Sequence, residues 1–387
     1  MNSNTVHSIF TIGVIALLST FGSGPAAAQS HQSVGLPLEL AAARTVARSP
    51  KAPLALKFVG SISLAHVRGR MDHVSVDVRG QRLFAAAYDN HTLEVVDLAA
   101  WRRVKTLRFD EPQQSYFVSS LNRLFVASSG DGTVKIFNGS TFALVRTVRL
   151  PSDADNMRYD SVRRHVLVNY GGEKYLFGKA VARKGEKDGA VAVLDLNGNI
   201  VGRIPIGGHP EALQLEQQTG DRVFINDPEK HEIVVADLSN YAVLARWNAG
   251  CENYPMALDE AHHRLFVFCR NGGYVAVFDT ASGRKVTTVR ATPGASSDDM
   301  FFDPGKHRLY VLARMLLNPR SPRGGLGPGI VDVFQQEDSD HYRMIATYAT
   351  GFGAQTGMFV PQWGKLFVAA RHQATGQSAE ILEYDTK

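Results

Sequence analysis

The 387-residue sequence holds only two cysteines, Cys251 and Cys269, and neither lies in a CxxC or CxxCH arrangement. That excludes a thioredoxin-type dithiol, a covalently attached c-type haem and a cysteine-rich zinc module. There is no HExxH and no GxSxG, so nothing supports a zincin site or an α/β-hydrolase serine elbow. No long stretch has helical periodicity. Charged residues make up 20% of the chain, and the net charge of +5 is not arranged as a basic stripe interleaved with aromatics. A nucleic-acid backbone therefore has no specific track to follow. Beyond the N-terminal segment no run is apolar enough to cross a bilayer.

What is present begins with a targeting pattern. Ile9 to Phe21 is nearly all apolar, and Pro25-Ala26-Ala27-Ala28 follows as an A-x-A cleavage signal before Gln29. The segment before the apolar run has no Lys or Arg, only His7. The apolar run is shorter than the ~20 residues of a membrane-spanning helix. Residues 1–28 thus read as a cleaved signal peptide, 29–53 as a Pro-, Ala- and Gln-containing linker, and 54–387 as the folded domain. The expected location is periplasmic or secreted. There Cys251 and Cys269 are either a disulfide or two separate thiols, one of them in a strand.

Self-similarity indicates the fold. An apolar strand, a tight turn and a second strand opening on a basic residue recur seven times: Arg82-Leu83-Phe84, Arg123-Leu124-Phe125, His165-Val166-Leu167, Arg222-Val223-Phe224, Arg264-Leu265-Phe266, Arg308-Leu309-Tyr310 and Lys365-Leu366-Phe367. The openings are 41 to 57 residues apart, and the shorter spacings match the ~40–45 residues of a four-stranded propeller blade. Third strands end on Asp in Leu93–Asp97, Val191–Asp195, Ile233–Asp237 and Val275–Asp279. The last unit stops at its third strand, Glu380 to Tyr384, whereas Leu56 to Leu64 is a strand with no unit of its own. The expectation is an all-β, seven-bladed propeller whose last blade takes this N-terminal strand as its outer member, protecting an open sheet edge. These units resemble the YVTN-type repeats of YncE-like exported propellers over roughly residues 55 to 387. Such a resemblance implies a fold and a binding or accessory role more than an activity.

Stacking the units on their second strands aligns the starts of the innermost strands. One register reads Asp72, Gln113, Asp155, Glu211, Tyr254, Asp298 and Gln355, and the next reads His73, Gln114, Asn156, Ala212, Pro255, Asp299 and Thr356. Deeper positions are apolar. Carboxylates and amides in so many repeats at one register point to a ligand site at one mouth of the channel. The competing reading is that they cap turns between blades. With Arg158, His209 and Asn253 these supply the candidate ligand-binding set. Asp155 and Asp298 are the candidate general bases. His73, His209, Glu211 and Asp299 are candidate ligands for a divalent metal, on donor chemistry alone. Two long insertions, Gly171 to Asp188 with five basic residues and Met315 to Gly329 with Arg320 and Arg323, are expected to rim the same face. His66, His91, His231 and His372 map to that face as well.

Three functions fit. The first is a binding or accessory protein holding a small molecule or a periplasmic protein partner. The second is a metal-dependent, lactonase-like hydrolase or lyase. Gluconolactonases resemble this architecture and use a Glu/Asn/Asn/Asp metal set, a set that Glu211, Asn156, Asn253 and Asp299 could supply in principle, but the repeats depart from that family and its ligands are not carried over. There a metal would polarise a carbonyl and activate water. The third is a redox partner, for which the sequence offers no positive feature.

Overall fold

The computed structural model describes residues 54–387 apart from 172–174, 177–178, 181–187, 219, 318–324 and 374–375, with backbone only at 175–176 and 179–180. The expected signal peptide and linker, and the central parts of both insertions, lie outside the described residues. Seven four-stranded antiparallel sheets follow one another along the chain, with a small two-stranded ribbon of Tyr175–Leu176 and Lys179–Ala180 inserted in the third. The sheets are the blades of a β-propeller, and they begin at Val74, Pro112, Ala154, Leu213, Asn253, Ala295 and Thr356. Six draw all their strands from one consecutive stretch. The seventh combines both ends of the described chain: Leu56–Leu64 pairs antiparallel with Ala379–Thr386, from Leu56 opposite Thr386 to Leu64 opposite Ala379.

The apolar runs of the second strands follow from where they sit. In Arg82–Ala87, Leu83, Ala85 and Ala87 enter the core shared with blade 7, while Phe84 and Ala86 enter the core shared with blade 2. Successive side chains point to opposite faces, and a blade flanked on both sides needs apolar residues at every position. Seven apolar clusters result, one in each gap between neighbouring blades. The gap between blades 7 and 1 is filled by Ile62, Leu64, Val74 and Phe367, among others. Outer strands such as Arg102–Arg108 are mostly exposed.

The repeated polar residues have local work. In six blades the residue before the opening basic residue has positive φ: Gln81, Asn122, Arg164, His263, His307 and Gly364. This left-handed position reverses the chain tightly, which suits Gly and Asn best and is tolerated elsewhere at a cost. The Asp that ends four of the third strands accepts backbone N–H bonds from the following turn: Asp97 from Ala100, Asp195 from Asn197, Asp237 from Ser239 and Asp279 from Ser282.

In five of the seven blades the opening basic residue reaches the next blade. Arg82 binds Asp77 within its own blade and the Gly139 carbonyl of blade 2. Arg222 grips Glu216 with two N–H groups and donates to the Thr280 carbonyl of blade 5. Arg264 reaches Asp340 of blade 6, and Arg308 the terminal Lys387 carbonyl. In blade 3, His165 meets the Tyr241 hydroxyl of blade 4 at 2.8 Å. The residue type by which the repeat is recognised therefore joins one repeat to the next.

Cys251 and Cys269 form a disulfide with Cα atoms 5.5 Å apart. It is buried in the core between blades 4 and 5 and ties the start of blade 5 to the end of its second strand.

Candidate functional site

The starts of the first strands and the ends of the second strands share one face, because the two strands run antiparallel. In blade 1 the Asp72 N–H donates to the Ala86 carbonyl at 2.7 Å. The aligned polar residues of the sequence meet on this face, but they divide into two layers that do different things.

The inner register is occupied with itself. His73 of blade 1 places Nδ1 3.1 Å from both carboxylate oxygens of Asp299 in blade 6, and Asp299 also accepts the Gly357 N–H of blade 7 at 2.9 Å. On its other side His73 Nε2 lies 3.4 Å from Asn156 Nδ2 of blade 3. Arg158 donates to Asn156 Oδ1 at 2.7 Å. Burial alone would lower the His73 pKa, but the charge and hydrogen bond of Asp299, with the charges of Asp72 and Asp155, outweigh it and raise the value to about 9. The surrounding carboxylates therefore favour the protonated imidazolium, with Asp72 3.7 Å from Nε2 as well as Asp299 against Nδ1. Arg158 has its pKa lowered by burial, an effect that Asp299 partly offsets. Gln114 accepts the Met157 N–H. Side chains from blades 1, 3 and 6 thus meet in one buried layer, joined by the His73–Asp299 pair.

The outer register is different. Arg70 holds Asp72 at 2.6 Å and Gln113 at 2.9 Å, and its guanidinium stacks 3.7 Å from the Tyr88 ring centre. Arg270 pairs with Asp298, which also accepts from Gln355, and lies 3.2 Å over the Tyr254 ring. In blades 3 and 4 the face is acidic. Asp155, His209 and Glu211 each offer one donor atom within 4.8 Å of the others, the one such group among the described residues. His209 Nε2 is 3.5 Å from Glu211 and 3.9 Å from Asp153. Glu229 adds to this side, its carboxyl pushed up to about 8 by burial and by the charge of Glu211.

Of the four candidate metal ligands, His209 and Glu211 come together with Asp155, while His73 and Asp299 face each other elsewhere. Asn156, Asn253 and Asp299, which with Glu211 could in principle supply a Glu/Asn/Asn/Asp set, are likewise engaged separately. Asn253 donates to the Glu232 carbonyl and gives its own carbonyl to Asn226, bracing the start of its strand. Asn156 and Asp299 belong to the His73 network. Asn226 also accepts the N–H groups of Glu211 and Ala212, which fixes the backbone that carries Glu211.

Four arginines of this face escaped the sequence reading: Arg70, Arg270, Arg314 and Arg371. Three of them had a signal. Arg270, Arg314 and Arg371 each stand six residues after the basic opening of their second strand, in three consecutive blades. Aligning the ends of the second strands, not only the starts of the first, would have exposed that register. No protein-family model matches this sequence, and no curated protein matches it significantly.

Proposed function

We propose that this propeller is an exported binding protein that holds a small polar ligand against the face described above, in the manner of the YncE-like propellers its repeats resemble. The observation that carries the reading is the division of that face. Acidic groups of blades 3 and 4 stand on one side, arginines of blades 5, 6, 7 and 1 on the other, and the His73 layer lies one residue further along the strands. A rigid ring bearing opposed polar groups suits the orientation of a ligand, because little ordering is left to oppose binding. Export is supported by the signal-like N-terminus and by the disulfide, which persists in oxidising compartments. N-terminal sequencing of the mature protein should begin at Gln29.

The direct test is a melting-temperature screen of small polar metabolites. A ligand should raise the melting temperature of wild type, and the shift should vanish in Asp155→Ala and Asp298→Ala. If both variants keep every ligand response, the site is elsewhere.

A second reading, a metal-dependent hydrolase or lyase, is favoured by one observation, the Asp155, His209 and Glu211 group. Imidazole and carboxylate donors suit a divalent transition metal, which would supply Lewis-acid polarisation. Metal analysis of purified protein, with a lactone panel assayed with and without chelator, decides it: no metal and no turnover remove this reading.

A further inference from the structure

The arginines on the blade 5 to blade 1 side are not balanced by the carboxylates beside them. Asp72 is taken by Arg70 and Asp298 by Arg270. Arg314 and Arg371 have no ion pair among the described residues. Arg371 is only 8% exposed. Its Nε donates to the Gly353 carbonyl at 3.1 Å, but its Nη2 is buried and has no acceptor there, and neither has Arg314 Nε. Burial and the charges of Arg270 and Arg70 lower the Arg314 pKa to about 10; burial and the charges of Arg314 and Arg70 do the same for Arg371, outweighing the opposing charges of Asp72 and Asp89. Like charges are thus packed together on one half of a face whose other half is acidic.

Such an arrangement is costly to fold. A buried guanidinium without a counter-charge loses hydration that a single carbonyl bond replaces only in part, and neighbouring cations add repulsion. The seat is nevertheless built. Gly353 sits at φ +59, a conformation glycine adopts without strain, and a Cβ there would lie 2.7 Å from Arg371 Cδ and press on the arginine stem. Costly, well-seated polar groups on a binding face mark the place where a ligand supplies the missing partner. Guanidinium groups present paired N–H donors that match carboxylate and phosphate oxygens.

We infer that Arg314 and Arg371, flanked by Arg70 and Arg270, form a receptor for an oxyanion, a carboxylate or phosphate group, at the anionic end of the ligand. This inference rests on the binding role proposed above and adds the chemical class. It places the anionic end of the ligand over blades 6 and 7 and any cationic or metal-bound end toward Asp155 and Glu211.

The test uses the full mature protein at low ionic strength, with inorganic phosphate and citrate as separate probes and sodium chloride matched for ionic strength. Calorimetric titration and melting curves are read for wild type, Arg314→Met, Arg371→Gln and Arg314→Lys. At least one anion should stabilise wild type beyond the chloride control, and which one does so separates phosphate from carboxylate recognition. Arg314→Met should weaken that anion at least tenfold and Arg314→Lys less. The ligand-free melting temperature of Arg314→Met should equal or exceed that of wild type, because a half-buried cation crowded by Arg270 and Arg70 has been removed; a purely structural arginine would lower it. If Arg371→Gln does not fold, the Arg314 variants decide. Unaltered anion affinity in both Arg314 variants overturns the inference, as does the absence of any shift beyond chloride. Should the anions fail while another ligand still responds to Asp155→Ala, the oxyanion receptor falls and the binding face stands. If no ligand of any class responds, both fall.

Discussion

His73 and Asp299 are 226 residues apart in sequence, yet the imidazole Nδ1 lies 3.1 Å from both oxygens of the Asp299 carboxylate. Blade 7 lies between them along the ring, and Asp299 bonds its Gly357 N–H on the way. The pair turns what looked like one polar ring into a bonded inner layer and a separate, outer set of largely buried groups with partners of their own, such as Asp72 and Gln355.

That pair has a pH signature. The His73 pKa rises from 6.5 to about 9 on folding, so its contribution is fully present below about 6.5 and is lost as pH climbs through 9. The groups acting on it are Asp299, Asp72 and Asp155, and Asn156 Nδ2 lies 3.4 Å from its far nitrogen. Glu229, raised to about 8, contributes a loss of the same sign at lower pH. Urea unfolding at pH 6 and pH 9.5 should show stability falling with pH, and the fall should be smaller in the double variant His73→Gln/Asp299→Asn by up to about 3 kcal/mol. Parallel curves for the two proteins would refute the buried ion pair.

The disulfide should contribute measurably. It closes a loop of sequence separation 18, for which restricting the unfolded chain is worth about 3 kcal/mol. Cys251→Ser should lower stability by roughly that amount, and reductant should destabilise wild type but leave the variant unchanged. Because Cys269 precedes Arg270, loss of the bridge is also expected to loosen the Arg270–Tyr254 stack, readable as increased hydrogen exchange at the end of that strand.

Arg222 tests the clasp between blades. Its partner Glu216 has a side chain only 1% exposed. Arg222→Ala removes a two-pronged ion pair and the bond to the Thr280 carbonyl, at an expected cost of about 2–4 kcal/mol. Arg222→Ala/Glu216→Gln should recover part of the loss, because no buried charge is then stranded. A double-mutant cycle showing no coupling would reject this role.

The N-terminal strand can be tested by truncation. Leu64 is fully buried against blades 7 and 1, so Leu64→Ala should cost about 3 kcal/mol. Deleting residues 54–64 bares the edge of Ala379–Thr386, which invites pairing with a second chain. The truncated protein should elute as oligomers or aggregates in size-exclusion chromatography; a stable monomer would mean the strand is dispensable.

Most of the blade architecture was legible because it is local. Alternating burial makes runs such as Arg82–Ala87 apolar at every position, and the turns beside them need left-handed residues. The N-terminal strand was legible by subtraction, since the last unit lacked a member. The site was legible only in part. Asp72, His73, Asn156, Asp298 and Asp299 were found by register, but their partners lie in other blades, and no spacing says that His73 meets Asp299 and not His209. Arg314 and Arg371 were overlooked because a basic residue at the end of a strand reads as solvated surface until burial shows otherwise.

The sequence by itself determined the repeat, the number of blades, the strand order and the register at which polar residues start each blade, since all of these depend on side-chain period and turn chemistry within some forty residues. Only the tertiary structure decided which polar groups satisfy one another and which are left facing out. Ring geometry brings side chains from distant repeats within hydrogen-bonding reach. The bonds they form there depend on burial and on neighbouring charge, neither of which is a property of the chain taken in order.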